Sequence, residues 1–164
     1  MSSKFVDVTG ITPTSQFPKC PPRHPFTEFC ETDKLCIPHP NPNIRDVLEV
    51  CVNVVICSAK IICTPVGNKV VVEGTKQIKV TFAADDPCQS VHCAHFEIPF
   101  CSLILLGPIK DEVVQVCSAI EDISVRCLDC RCLIVNTVIF ICPVFEETYN
   151  YCSHPHDDNA NYRF

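Results

Sequence analysis

The sequence predicts an all-β protein: a β-sandwich of jelly-roll-like, two-sheet form, with an extended N-terminal arm and a short C-terminal tail. Three observations carry this expectation. Apolar and polar residues alternate with a period of two over long stretches from Val47 onward, the mark of half-buried strands. One late stretch, from Arg131 to Val144, is apolar on both faces, as a strand enclosed on both sides must be. No segment sustains a helical period beyond a turn or two. The expected divisions are an arm over residues 1–45, a sandwich over 46–145 and a tail over 146–164.

Eight of the 14 prolines fall in the arm, at Pro13, Pro18, Pro21, Pro22, Pro25, Pro38, Pro40 and Pro42. Each removes a backbone donor and fixes φ, which excludes a regular helix or an inner strand there. The arm also holds Phe5, Val6, Val8 and Ile11, then Phe17, Phe26, Phe29, Leu35 and Ile37. Disordered segments are poor in such residues, so the arm is expected to dock on a surface.

In the first long strand, Leu48, Val50, Val52, Val54 and Ile56 share one face, and the strand is expected to run to Cys63. The turn signal Thr64-Pro65-Val66-Gly67-Asn68 then reverses the chain. A second strand follows, with Val70, Val72, Ile78, Val80 and Phe82 on one face and Gly74 interrupting it where a bulge or bend is tolerated. After a loop at residues 84–87, the stretch from Val91 to Leu106 forms a third strand with Ala94, Phe96, Ile98 and Phe100 on its apolar face. Val113 to Val125 and Arg131 to Val144 supply two more, joined by a cysteine-dense turn. The tail is polar and aromatic, with no core periodicity.

A chain of 164 residues is long enough to bury roughly two-thirds of its unfolded surface. Its 15 cysteines are therefore not needed to compensate for a missing core, and their number points to durability or to covalent linkage between subunits. The net charge is −6 and no basic run occurs, so the phosphate-neutralising patch required for nucleic-acid binding is absent. The longest apolar stretch, Leu133 to Val144, is broken by Asn136, Thr137 and Pro143, which argues against a membrane span. The first ten residues lack the apolar run of about 7–15 residues of a secretory signal, so synthesis without a leader is expected. Such a chain meets oxidant only after synthesis, and an odd number of thiols leaves at least one free or paired with another molecule.

The stretch Lys60 to Thr75, the run Ile78-Lys79-Val80-Thr81-Phe82 and the segment from Ser90 to Phe100, with its Val91-His92 and Glu97-Ile98-Pro99-Phe100, together resemble the SPOCS domain of spore-forming Firmicutes. The later stretch from Val125 to Val135 is similar to that domain more loosely, so that the likeness covers about residues 45–145. The resemblance implies a structural or morphogenetic protein of spore coat or exosporium layers, with no catalytic residues. The outer layers of a spore are made in a mother cell that then lyses, so a leaderless chain becomes oxidised without secretion.

Cys51, Cys57 and Cys63 are spaced by six; on an unbroken strand all three point to one side, about 20 Å apart in succession. They cannot pair with each other, since a bridge needs Cα atoms within about 7 Å. Each faces a partner elsewhere, or is a small buried hydrophobe. Cys127-x2-Cys130-x-Cys132 has the most metal-like spacing, but no second Cys-x2-Cys completes a zinc site. His92 and His95 fall on opposite strand faces by parity, which weakens Cys88-x3-His92-Cys93-x-His95 as an alternative, and His154 and His156 are expected in solvent. No signature singles out a cysteine nucleophile, the four glycines form no phosphate loop, and no paired-carboxylate motif occurs. Neither catalysis nor a cofactor or metal is expected.

The function expected is that of a self-assembling structural protein, forming a disulfide-cross-linked filament or layer on the endospore surface as appendage, exosporium or coat. Its partner is another copy of itself, reached by arm-to-body contacts, with other spore coat proteins as a second class. Cys20, Cys30, Cys36, Cys127, Cys130 and Cys132 are the candidates for intermolecular bridges. Cys51, Cys57, Cys63, Cys88, Cys93, Cys101, Cys117, Cys142 and Cys152 are the remaining disulfide candidates. The alternatives are a coat-morphogenesis adaptor that binds other coat proteins and a cytosolic zinc-binding protein.

Overall fold

The computed structural model describes residues 5–109 and 112–146; the expected tail beyond 146, with Cys152, lies outside the described residues. Two sheets pack face to face. The first has the order β1-β3-β4-β5, built from β1 (Asp7–Thr9), β3 (Ile44–Thr64), β4 (Gly67–Ala84) and β5 (Val91–Gly107). The second has the order β2-β7-β6, from β2 (Thr27–Cys36), β7 (Cys132–Phe145) and β6 (Val113–Cys127). The five strands expected in the sandwich are β3 to β7, and a single 3-10 turn, Thr14–Gln16, precedes β2.

Long alternating strands joined by short turns form a meander, so β3, β4 and β5 pair antiparallel in succession, and β6 and β7 close a hairpin in the facing sheet. Every second residue of β4 from Val70 to Ala84 points into the interlayer, and Val70, Val72, Val80 and Phe82 are fully buried there. On β7 the inward row is Leu133, Val135, Thr137, Ile139 and Ile141, all fully enclosed. Burying each large apolar side chain contributes about 1.5–3 kcal/mol, and this interlayer is where most of the stabilisation arises. It divides into two apolar clusters, one around Val50, Ile78, Val80, Phe82, Leu133 and Val135, the other around Val70, Val72, Ile104, Ile139 and Ile141.

The arm folds back on its own sandwich. β1 adds to β3 in parallel, Thr12 exchanges hydrogen bonds with Ile120 on β6 (2.9 Å each), and Phe17 crosses the outer face of the second sheet onto Phe140, 4.9 Å between ring centroids. This cover explains the last strand's two apolar faces: one meets the first sheet, the other meets the arm. Ten arm residues, Thr27–Cys36, then form the edge strand β2, paired with β7 along its whole length. The proline arithmetic excluded an inner strand, and β2 is an edge strand flanked on both sides by prolines.

Three irregularities in β3 change the expected faces. The shift between Val47 and Glu49 turns Val47 inward and leaves Leu48 40% exposed, so Leu48 does not share the face of Val50. The shift between Ile56 and Ser58 makes Cys57 an extra residue opposite Gly74, so the bulge lies on the strand facing the glycine rather than on the glycine's own. Gly74 instead makes room for a ring: a Cβ there would stand 2.5 Å from Cζ of Phe100. The same bulge reverses parity. Cys51 opposes the outward Lys79, whereas Cys63 opposes Asn68, in line with the inward Val70, so the three evenly spaced cysteines do not share one side.

Candidate functional site

The chemistry-bearing groups of this chain are its thiols, and the fold distributes them into four places. At the first, Cys36 ends β2 directly opposite Cys132 at the start of β7, and the two form a disulfide with a Cα separation of 4.1 Å. Both were expected to bridge to another molecule; the pairing of β2 with its own β7 joins them within the chain instead. The arm end is fastened further by Arg131, whose guanidinium donates to the Asn43 side chain (2.7 Å) and to the carbonyls of Ile37 (2.8 Å) and Asn41 (3.0 Å). Asp129 accepts from the backbone of Arg131 and Cys132, and these bonds hold its carboxyl below the ordinary range.

The second place is the outer face of the second sheet, beneath the arm. Cys117 and Cys142 are opposed across β6 and β7, and Cys20 of the arm reaches the same spot. Cys142 is buried with Phe140 and Ala119, under Phe17. Burial, with the neighbouring sulfurs of Cys20 and Cys117, pushes its thiol well above the usual range. Beside this patch Glu28 and Glu121 line a shallow groove with Thr12, Phe17 and Phe140, and burial together with the charge of Glu28 raises the carboxyl of Glu121.

The third place is the outer face of the first sheet, which no described segment covers. Cys51, Cys57, Cys93 and Cys101 stand on it, and the exposed apolar side chains Val91, Leu103 and Leu105 share the outward row of β5 with the last two. Cys57 and Cys101 flank a depression over Gly74, one strand to either side of β4. The fourth place is the rim: Cys88 in the β4–β5 turn, Cys63 near the β3–β4 turn, Cys30 on the outward face of β2, and Cys127 and Cys130 at the β6–β7 turn, all exposed. Burial and the charge of Asp46 raise the thiol of Cys127. Since Cys132 is bonded to Cys36, the Cys127-Cys130-Cys132 trio does not converge, and no group of three or more metal-ligating side chains occurs among the described residues.

One charged centre escaped the sequence analysis. Lys76 lies on the inward row of β4 and is completely buried, its Nζ held by Glu31 (3.2 Å) and by Asp33, both from the inward row of β2. It sits between the two apolar clusters. Parity contained the signal: Lys76 occupies the row of Val70, Val72, Ile78 and Val80, and Glu31 and Asp33 the row of Phe29 and Leu35.

The fold and its surfaces define an all-β sandwich with exposed thiols on both outer faces and the rim. A family model, that of the SipL SPOCS domain, matches residues 43–128, just over half the chain, and the chain belongs to that family. The match runs from the start of β3 to the end of β6, so β2 and β7, which complete the second sheet, lie outside it. No curated protein and no solved structure matches the chain. Membership of the SPOCS family suggests a spore-associated role, and no helix among the described residues is long and apolar enough to cross a membrane.

Proposed function

We propose that this chain is a self-assembling structural protein of the endospore surface, polymerising into a filament or layer that intermolecular disulfides make permanent. The observation that carries the proposal is the placement of the thiols: nine of the described free cysteines are exposed, spread over both outer faces and the rim, and Cys36–Cys132 is the one disulfide among the described residues. Such a distribution serves bridges between molecules better than it serves the stability of one. Two features supply non-covalent contacts. The long strand β5 ends its sheet with no further strand paired to it among the described residues, and an unpaired edge accepts a strand from another copy. The arm is tethered through Pro18, Pro21, Pro22 and Pro25, so its contacts with β3, β6 and Phe140 are suited to exchange between neighbours, and heterologous exchange that does not close gives an open polymer. The mother cell builds the assembly in a reducing cytosol, and oxidation follows its lysis.

Electrophoresis of purified, oxidised protein tests the proposal. A ladder, or material held in the well that collapses only with reductant, is the expected result, with ordered filaments or sheets in negative-stain electron microscopy. Migration as a monomer without reductant overturns it.

A further inference from the structure

The buried centre of the sandwich holds the reactants of an amide bond. Lys76 brings an amine to the interlayer from β4, with a side-chain exposure of 0%. Asp33, 11% exposed, brings a carboxyl group into contact with it from the edge strand of the opposite sheet. Glu31, 29% exposed, adds a second carboxyl 3.2 Å from the same nitrogen. Thr137, on β7 directly across from Glu31, is fully buried, and its hydroxyl has no hydrogen-bond partner among the described residues. One cation, two carboxyls and an unpartnered hydroxyl thus lie in the interlayer of an otherwise apolar sandwich. As an ion pair this arrangement is poorly suited to stability, because desolvating the charges costs as much as their attraction returns. As a set of reactants it is well arranged.

We propose that Lys76 and Asp33 condense spontaneously into an isopeptide cross-link between β4 and β2, with Glu31 as the proton-transfer group. Moving one proton from Nζ to Asp33 converts the ion pair into an amine and a carboxylic acid with no change in net charge. The nitrogen lone pair attacks Cγ of Asp33, forming the N–C bond. Glu31 takes a proton from the nitrogen and passes it to the hydroxyl of the tetrahedral centre; the C–O bond breaks and that oxygen departs as water. Nothing is oxidised or reduced, and no co-reactant is needed. Two charges disappear from the interior, and the product amide is shielded from hydrolysis by the two apolar clusters around it. Holding the groups in contact supplies the entropy that the same condensation lacks in solution. The consequence is a bond that survives reductant and ties the proline-flanked edge strand, which lies outside the family match, to the centre of the matched domain.

Mass spectrometry of the full chain, reduced, alkylated and denatured, tests the cross-link whether or not the chains polymerise. The expected intact mass is one water below that of the alkylated sequence. Trypsin should yield a branched peptide joining residues 24–34 to 70–79, because an acylated Lys76 is not cleaved. Glu31→Gln keeps amine and acceptor in place and should regain the water, with the circular dichroism of the parent. A full sequence mass with the two peptides recovered as separate linear species overturns the proposal. Persistence of the loss in Asp33→Ala removes Asp33 as the acyl donor and overturns it equally.

Discussion

Cys142 and Cys101 carry the same thiol in opposite surroundings. Cys142 is 3% exposed under the arm, against Phe140 and Ala119, and burial beside Cys20 and Cys117 raises its pKa. Cys101 stands in the open on β5. Alkylation and disulfide exchange proceed through the thiolate, so a raised pKa lowers the reactive fraction at any given pH and displaces the rate profile to more alkaline conditions. Timed iodoacetamide labelling of the reduced chain, read by peptide mass spectrometry, should therefore modify Cys57 and Cys101 early and Cys142 last. Cys127, raised by burial and by the charge of Asp46, should show a labelling rate that climbs only at pH above the ordinary thiol range. Equal rates for Cys142 and Cys101 would contradict the docked position of the arm. Under the proposed function the bridging thiols are the outward ones, and Cys142, buried under the arm, is the least reactive.

The edge strand β2 is held to the sandwich at several points. Its backbone pairs with β7 from Thr27 to Cys36, the Thr27 hydroxyl donates to the Leu103 carbonyl on β5 (2.6 Å), and Phe29 packs on Phe100 at 5.6 Å between centroids. Its end is closed by the Cys36–Cys132 bridge, spanning a sequence separation of 96. A cross-link over so long a loop removes much of the freedom of the unfolded chain, and such bridges contribute about 2–4 kcal/mol. Cys36→Ser should accordingly lower the unfolding free energy measured by urea titration by an amount of that order under oxidising conditions, and leave the stability of the reduced protein nearly unchanged. An equal midpoint for the oxidised parent and the variant would show that the bridge adds no stability. The alternation that located β3 to β7 did not locate β2, because eight prolines in the surrounding segment dominate its texture. The strand itself, Thr27 to Cys36, holds none, and its inward row Phe29, Glu31, Asp33 and Leu35 mixes charge with apolar residues. Without knowledge of Lys76, that row does not look like a buried face.

Across the whole molecule, the arm performs two separable tasks. Residues 5–17 cover the sandwich from outside, along β3, β6 and Phe140, whereas residues 27–36 are one of its strands. Truncation should distinguish them. Removing residues 1–17 is expected to leave a folded sandwich, with strand-type circular dichroism, that no longer forms ordered polymers in negative stain. Removing residues 1–45 also strips Glu31 and Asp33 from a lysine that has no other counter-ion among the described residues, and an uncompensated buried charge costs about 3–5 kcal/mol. That variant should be unfolded or markedly less stable in a denaturant titration. Unimpaired polymerisation of the shorter truncation would show that the connection between copies runs through the β5 edge alone.

The period-two pattern by itself determined that the chain is a sandwich, where five of its strands run and which residues of β4 face inward, because side-chain direction in a strand is set by local backbone geometry; which of the two apolar faces of β7 meets the first sheet was decided by the packing. The family likeness was legible separately, in the specific residue runs from Lys60 to Thr75, Ile78 to Phe82 and Ser90 to Phe100. The bulge at Cys57, which separates the sides of Cys51 and Cys63, was decided by the register of β3 against β4. The recruitment of β2, the closure of Cys36 on Cys132 and the meeting of Lys76 with Glu31 and Asp33 were decided only in the tertiary structure. Each joins positions far apart in sequence, and what brings them together is the burial of two sheets against one another, a property of the assembled layers and of no single segment.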